Sequence, residues 1–361
     1  MIGDVRGLAR RPTGAGAGAP MKSSTVLVTG GAGYIGSHMI LALRDAGRPV
    51  VVLDDLSTGL AEAVPAGVPL VRGCVGDADL VTSIARTYRV SAIVHFAGSI
   101  VVPDSVADPL AYYLNNTVRS RELIGAAVAA GVRNFVFSST AAVYGEASSE
   151  PLGEDAPLTP VSPYGASKLM TERMLADAGA AYGLRYAVLR YFNVAGADPL
   201  GRAGQSGARA THLIKLAAQA AVGLRWGLDC FGDDYPTRDG TCVRDYVHVS
   251  DLVQAHMLAL QHLDEGGENL VANCGYGRGA SVREVIDAVK RASGVDFPVR
   301  PAARRAGDPA ALVADPSRIR EILGWVAQHD DLDSIVASAL AWERRLGEAR
   351  EPAFAAAMEH A

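Results

Sequence analysis

Thr25-Val-Leu-Val-Thr-Gly-Gly-Ala-Gly-Tyr-Ile-Gly-Ser37 is the stretch that decides the fold. Thr25–Val28 is a short apolar run suited to a strand buried on both faces. Glycines at 30, 33 and 36 follow with the spacing GxxGxxG, and Ser37 to Ala46 then runs at helical spacing. These glycines permit a sharp strand-to-helix turn and let a pyrophosphate approach backbone N–H groups at the helix start. A second apolar strand, Val50 to Leu53, ends in Asp54, which lies 24 positions beyond Gly30. A Rossmann unit places an acid about there on the adenosine ribose diol, and an acid would repel a 2′-phosphate. The order strand, glycines, helix, strand, acid therefore predicts an α/β chain with a Rossmann-type doubly wound parallel sheet that binds NAD in preference to NADP.

The alternation continues outward. Pro69–Arg72 leads to Gly76-Asp77, where Asp77 suits either the adenine amino group or the N-cap of a helix through Tyr88. Ser91–Phe96 reads as a buried strand closed by His95-Phe96-Ala97-Gly98, with His95 as a packed strand-end residue. One helix is expected from about Pro109 to Gly131. Asparagine is a mediocre helix former, so Asn115-Asn116 inside it implies a packing or hydrogen-bonding duty. Arg133–Phe137 is a fifth strand emptying into Ser138-Ser139-Thr140, and Leu184–Arg190 is a sixth.

Between them stands Tyr164-Gly-Ala-Ser-Lys168. Residues four apart share a helix face, which would put Lys168 beneath the Tyr164 ring. Free tyrosine titrates near ~10, but a neighbouring ammonium, or the positive nicotinamide ring of an oxidised cofactor, favours the phenolate. A tyrosine so tuned takes a proton from an alcohol while hydride leaves the same carbon. YxxxK alone also fits a surface pair; its weight comes from the glycine loop that precedes it.

Composition sets the bounds. A chain of 361 residues suggests about two domains, and 49% hydrophobic with 20% charged residues is ordinary for a soluble globular protein. A net charge of -5 without Lys/Arg runs argues against nucleic acid. No apolar run approaches the ~18 residues of a membrane span. Cys74, Cys230, Cys242 and Cys274 lack metal-ligand spacing, so no metal is expected, and free thiols in a reducing, cytoplasmic compartment are. Residues 1–20 carry Arg, Gly, Ala and Pro without apolar periodicity or a secretory core, and are expected to be a disordered extension. The expected division is 21–192 for NAD, with a returning segment about 241–264, then a smaller mixed α/β substrate domain over 193–350 and a tail at 351–361.

With these pieces in hand the sequence resembles the extended short-chain dehydrogenase/reductase superfamily, and more narrowly the UDP-glucose 4-epimerases. The matching stretches are VTGGAGYIGS (28–37), DDLSTG (54–59), HFAG (95–98), SSTAAVYGE (138–146), SPYGASK (162–168), RYFNVAGA (190–197), FGDDYPTRDGTCVRDYVHVSDL (231–252) and RRAGDPAALVADPS (304–317). The likeness covers about 25 to 345. It implies reversible epimerisation at C4 of UDP-galactose and UDP-glucose through a 4-keto sugar, with tightly held NAD. It implies catalytic Tyr164, Lys168 and Thr140. Cofactor contacts carried over with the motifs are Gly30, Gly33, Tyr34, Ile35, Gly36, Asp54, Asp55, Ser57, Asp77, Phe96, Ala97, Asn115, Ser138 and Tyr191. On the substrate side they are Asn193, His212, Phe231, Arg244, Arg305, Asp308 and Leu312, with the arginines on pyrophosphate, Asp308 on the uridine ribose and Phe231 near uracil. Guanidinium forks match phosphate geometry. A homodimer pairing helices about 109–131 and 162–182 is implied in the same way. The helices at 281–293 and 331–346 read as packing elements, and His248 as structural.

The two residues after Thr140 separate neighbouring activities. Ala141-Ala142 carry no carboxylate, whereas the related nucleotide-sugar 4,6-dehydratases have Asp-Glu there, so elimination at C5–C6 has no agent. A non-catalytic dinucleotide sensor usually loses the Tyr/Lys pair, which this chain keeps. Three places depart from the family pattern. Ile100 stands where many members have lysine, His212-Leu213 where many have Asn-Leu, and Leu312 where a bulky tyrosine or a small residue excludes or admits N-acetylated sugars. UDP-xylose/UDP-arabinose and UDP-N-acetylhexosamines remain alternative substrates.

Overall fold

The computed structural model describes residues 24–146, 151–207, 211–305 and 308–358. The extension expected over residues 1–20 lies outside them. Within the described residues the chain begins with β1 (Thr25–Thr29), α1 (Tyr34–Asp45), β2 (Val50–Asp54), β3 (Leu70–Arg72), α2 (Ala78–Thr87) and β4 (Val90–His95). Short α3 (Val102–Ala107) and α4 (Pro109–Tyr112) run into a π-helical turn over Tyr113–Val118, and α5 (Arg119–Ala129) continues it. Then come β5 (Asn134–Thr140), α6 (Pro163–Tyr182), β6 (Arg185–Tyr191) and β7 (Asn193–Ala195).

The remainder comprises α7 (Leu213–Ala221), β8 (Leu228–Phe231), β9 (Val243–His248), α8 (Val249–Asp264), β10 (Leu270–Cys274) and β11 (Gly279–Ser281). It closes with α9 (Val282–Ser293), β12 (Val299–Ala302), β13 (Ala311–Leu312), α10 (Ser317–Leu323) and α11 (Leu332–Met358).

Seven strands form one parallel sheet in the order β3-β2-β1-β4-β5-β6-β10. Strand order reverses between β1 and β4, the crevice where doubly wound sheets hold a dinucleotide. The period of two sends alternate side chains to opposite faces. Val26 and Val28 accordingly join a core with Met39, Ile40 and Leu43 of α1, and Leu27 joins the other with Val81 of α2 and Leu123 of α5. Both faces of β1 are buried, as its unbroken apolar run requires. The second region is mixed. β9 pairs with β7 and β13 in parallel and with β11 antiparallel, while β8 and β12 form a separate parallel pair. The expected α/β architecture is present.

Four boundaries differ from the sequence expectation. The helix expected over 109–131 is interrupted by the π-helical turn, which contains both Asn115 and Asn116. β5 does not stop at Phe137 but carries Ser138–Thr140 within the sheet, because β6 pairs with it as far as Tyr191. Within the expected returning segment, about 241–264, β9 belongs to the small sheet, α8 packs in one core with β1 and α1, and β10 beyond it pairs with β6 at the edge of the large sheet. Finally, α11 continues to Met358, past residue 346 and into the expected tail. No helix among the described residues is long and apolar enough to cross a membrane.

Candidate active site

The glycine loop shows why it must be glycine at two positions. Gly30 has φ +69°, and a Cβ there would lie 2.6 Å from the Ala97 backbone nitrogen. A Cβ on Gly36 would meet the Gly30 carbonyl oxygen at 2.2 Å. The loop is thus pressed against the end of β4, and α1 begins directly after Gly33 with no side-chain cap. The first-turn N–H groups, of Tyr34, Ile35 and Gly36 among them, have no intrahelical partner and suit an anion. This bare, positively polarised cradle fits the pyrophosphate of NAD.

Asp54 ends β2, buried, and its carboxylate accepts from Ala32 N at 2.9 Å and Leu56 N at 2.9 Å. It therefore clasps the glycine loop. Burial pushes its pKa up, and the two backbone donors oppose that. Leu56 is held at φ +59°, an uncommon conformation for a leucine. Asp55 accepts from Ser57 N at 2.9 Å and from its hydroxyl at 2.5 Å, shaping the exposed turn. Asp77 caps α2 by accepting from Leu80 N. Phe96 packs against His256, ring centroids 4.9 Å apart. Tyr34 points away from the cradle: its buried phenol donates to the Gly196 carbonyl at 2.6 Å, while Ile35 packs on the first core.

At the ends of β5 and β6 the predicted catalytic groups converge. Ser162 caps α6 by accepting from Gly165 N, which fixes the helix start and brings Tyr164 to the strand ends. Thr140 ends β5, its hydroxyl accepting from Ala142 N at 3.1 Å and lying against the Tyr164 phenol. Tyr191 stands beside Thr140 in register. Burial pushes the Tyr164 pKa well up, and the nearby Thr140 hydroxyl opposes it.

Lys168, expected beneath the Tyr164 ring, has the end of β5 as its bonded partner. Its ammonium donates to the Ser138 carbonyl at 3.0 Å and lies 4.8 Å from the centroid of the Phe137 ring. The strand extension through Ser138 offers a buried carbonyl that an exposed loop would not have presented. Burial lowers Lys168 to about 8, opposed by the Glu172 carboxylate.

His95 is packed, not catalytic. Its Nδ1 is 2.6 Å from Thr29 Oγ1, its Nε2 3.0 Å from Ser120 Oγ, and it stacks on Phe137. Of the asparagine pair, Asn115 donates to Ser99 Oγ at 2.8 Å, but Asn116 has the buried duty. Its carboxamide accepts from Ser99 N at 2.8 Å and donates to Ser99 O at 2.9 Å, and to Ser167 Oγ at 3.1 Å. The π turn aims this side chain between the loop after β4 and α6, tying the two together. Sequence reasoning saw the pair but gave the weight to Asn115. It missed Glu172 altogether, although Tyr164, Lys168 and Glu172 follow at helical spacing on α6.

The substrate-side residues come together more loosely. Asn193 opens β7, half-buried. The exposed Arg305 guanidinium stacks 3.9 Å from the centroid of Phe231 and has no acidic partner among the described residues. Arg244 and Asp308 form an ion pair, with Arg244 also donating to the Val243 carbonyl at 2.7 Å. Asp308, expected on the uridine ribose, is thus bound to Arg244. His212 stands at the start of α7 with Gln205 Nε2 2.7 Å from its Nδ1, and burial lowers its pKa. Leu312 packs beside Ala141, Val143 and Phe192. Ile100 is 49% exposed at the crevice end of β4. The specific-looking stretch around 245–251 is mostly structural: buried Asp245 accepts from Tyr276 N, Gly277 N and Ala314 N, and His248 caps α8 and packs against the tilted ring of His329.

A model of the NAD dependent epimerase/dehydratase family matches residues 26–275, which span the cradle, the Tyr164–Lys168 helix and the whole seven-stranded sheet. The chain belongs to that family. The UDP-glucose 4-epimerase of Azospirillum brasilense is 63% identical to this family member over 90% of the chain and 93% of its own length. A crystal structure of UDP-glucose 4-epimerase from Brucella ovis in complex with NAD superposes with a TM-score of 0.86 at 46% identity, covering 88% of this chain and 98% of that one. The UDP-glucose 4-epimerase from Bifidobacterium longum in complex with NAD+ and UDP gives 0.85 at 36% identity, covering 89% and 98%.

Proposed function

We propose that Tyr164, Thr140 and Lys168 carry the acid–base step of C4 epimerisation, a reading supported above all by the convergence of the start of α6 with the end of β5, where Lys168 is bonded to Ser138 and Thr140 ends the strand. The activity is that of a UDP-glucose 4-epimerase with NAD as cofactor: reversible inversion at C4 of UDP-galactose and UDP-glucose through a 4-keto sugar. Bound NAD supplies the hydride acceptor and donor, and its positive ring lowers a phenol that burial has raised. Tyr164 takes the O4 proton as the C4–H bond breaks, and returns it when the keto sugar has presented its other face. Thr140 orients O4 toward Tyr164. Lys168, held on the Ser138 carbonyl, keeps a positive charge at the crevice floor. The glycine loop would hold the pyrophosphate of NAD and Asp54 the adenosine ribose, with Asp55, Ser57, Asp77, Phe96, Ala97, Asn115, Ser138 and Tyr191 around them.

The UDP-sugar is gripped by its nucleotide. Arg244 and Arg305 face the pyrophosphate, Asp308 the uridine ribose, Phe231 the uracil, and His212 and Asn193 the phosphate and sugar. A neutral imidazole at 212 still donates from one ring nitrogen. These charged anchors lie on the nucleotide, as turnover demands, since an equal grip on both epimers through the sugar itself would stop rotation. Leu110, Leu114 and Val118 are exposed at helical spacing and continue to Met170 of α6 through Thr117. That apolar face supports a homodimer. Four unpaired cysteines support a reducing, cytoplasmic setting.

The test is to incubate purified protein with UDP-galactose and no added cofactor, following UDP-glucose by chromatography. Conversion is the expected result. No conversion even with NAD supplied would overturn the hexose assignment, and UDP-arabinose and UDP-N-acetylglucosamine run in parallel would then identify the sugar.

A further inference from the structure

One residue below Thr140 and Tyr191, three parallel strands carry polar side chains that the proposed chemistry does not use. Ser139 of β5, Arg190 of β6 and Asn273 of β10 stand in one register row, all buried. Glu172, one turn past Lys168 on α6, accepts from the Ser139 hydroxyl and takes the Arg190 fork through Nη2 at 2.7 Å and Nε at 3.1 Å. Arg190 also donates to the Tyr144 hydroxyl at 3.1 Å, and Tyr144 donates to Asn273 at 2.6 Å. The adjacent residues of β5 are the two that touch the reacting groups: Ser138 receives Lys168, and Thr140 meets Tyr164. Apolar residues of similar volume often stabilise a fold as well as a buried ion pair does. Stability alone therefore does not call for Glu172 and Arg190 here.

We propose that Glu172 and Arg190 are a positioning pair that fixes the end of β5 against α6, so that Thr140 and Lys168 are held at the height Tyr164 needs. The inference rests on the catalytic reading of Tyr164, Thr140 and Lys168. Glu172 contributes charge as well as geometry. The titratable groups that act on Lys168 are Glu172 on its own helix and His95 on β4, with the Phe137 ring and Ser138 carbonyl from β5. Glu172 is the anion among them, so its loss favours neutral Lys168 at lower pH.

The experiment compares Ser139→Ala and the double variant Glu172→Gln/Arg190→Met with wild type, measuring bound NAD, kcat, KM for UDP-galactose and the pH profile. A misplacement of this kind costs about tenfold or more in kcat for the double variant, and about threefold for Ser139→Ala, with KM within about twofold. The high-pH limb of kcat moves down in the double variant and stays put in Ser139→Ala. Folded, NAD-loaded variants with wild-type kcat and pH limb would overturn the proposal, as would a loss confined to KM. Should the double variant not fold, unchanged kcat in Ser139→Ala overturns it. Full activity in Tyr164→Phe would instead overturn the catalytic reading itself.

Discussion

The cofactor crevice and the nucleotide-sugar side are built on opposite plans. At the floor of the crevice the polar side chains are buried and bound to protein: Asp54 to two backbone amides, Lys168 to a strand carbonyl, Asn116 to both backbone groups of Ser99. On the sugar side the charged groups hold one another or an aromatic face. Asp308 holds Arg244, and Arg305 lies on Phe231 without an acid among the described residues. A rigid, pre-bonded crevice suits a cofactor that stays bound through many turnovers. A set of guanidiniums that trade partners suits a ligand that enters and leaves each time. Losses should therefore appear in kcat and NAD content on one side, and in KM on the other.

The sharpest break of that symmetry is Tyr164→Phe. Removing the proton carrier should lower kcat by about 10³-fold, while bound NAD and melting temperature stay close to wild type. Stopped assays with UDP-galactose, alongside cofactor released on denaturation, check both. Gly36→Ala comes next. Its methyl cannot coexist with the Gly30 carbonyl at 2.2 Å, so the cradle must open, with about 1–3 kcal/mol of stability lost and NAD largely absent after purification. On the other side, Arg305→Ala should raise KM about tenfold, the value of one charge-assisted hydrogen bond, with kcat nearly unchanged. If kcat falls with it, the nucleotide grip is not separate from the chemistry.

Acid and alkali probe the crevice differently. Lys168, lowered to about 8, loses its proton above that pH, and kcat should decline there. Burial lowers His95 to about 3, His248 to about 3 and His256 to about 4. Each binds more protons unfolded than folded once the pH falls below the ordinary histidine value. Their stability contribution is complete above about 6.5 and is lost as pH falls from there toward 3–4, at about 1.4 kcal/mol per pH unit for each group. Denaturant midpoints between pH 7 and 5 measure it, and a flat curve would contradict neutral burial of these rings.

The sequence declared most where the signal is local. Apolar runs, glycines at fixed spacing and a terminal acid occupy about thirty consecutive residues, so β1, α1, β2 and the cradle were legible. Tyr164 and Thr140 were legible because each sits in a short motif at a strand or helix end. The π turn was not, since nothing in Tyr113–Val118 distinguishes it from ordinary helix except the asparagine pair. The direction of Lys168 and the Glu172–Arg190 pair depend on strand register, which joins residues 139, 190 and 273. Register across such separations is a property of the whole sheet. No window of sequence contains it.

Asp77 offers the smallest effect and a clean division between two readings. It caps α2, accepting from Leu80 N through Oδ1 at 3.0 Å, and its other carboxylate oxygen has no hydrogen bond among the described residues. Asp77→Ala removes cap and carboxylate together, at about 1 kcal/mol of stability. Asp77→Ser keeps a capping oxygen but cannot reach past the helix end. Its melting temperature should match wild type, while its half-saturation by NAD, measured on protein stripped of cofactor, rises about threefold if the free oxygen meets the adenine amino group. Equal NAD affinity in Asp77→Ser would make Asp77 a cap and nothing more. The crevice would then hold the adenosine by Asp54 and its turn alone, through groups that the protein has already bonded to itself.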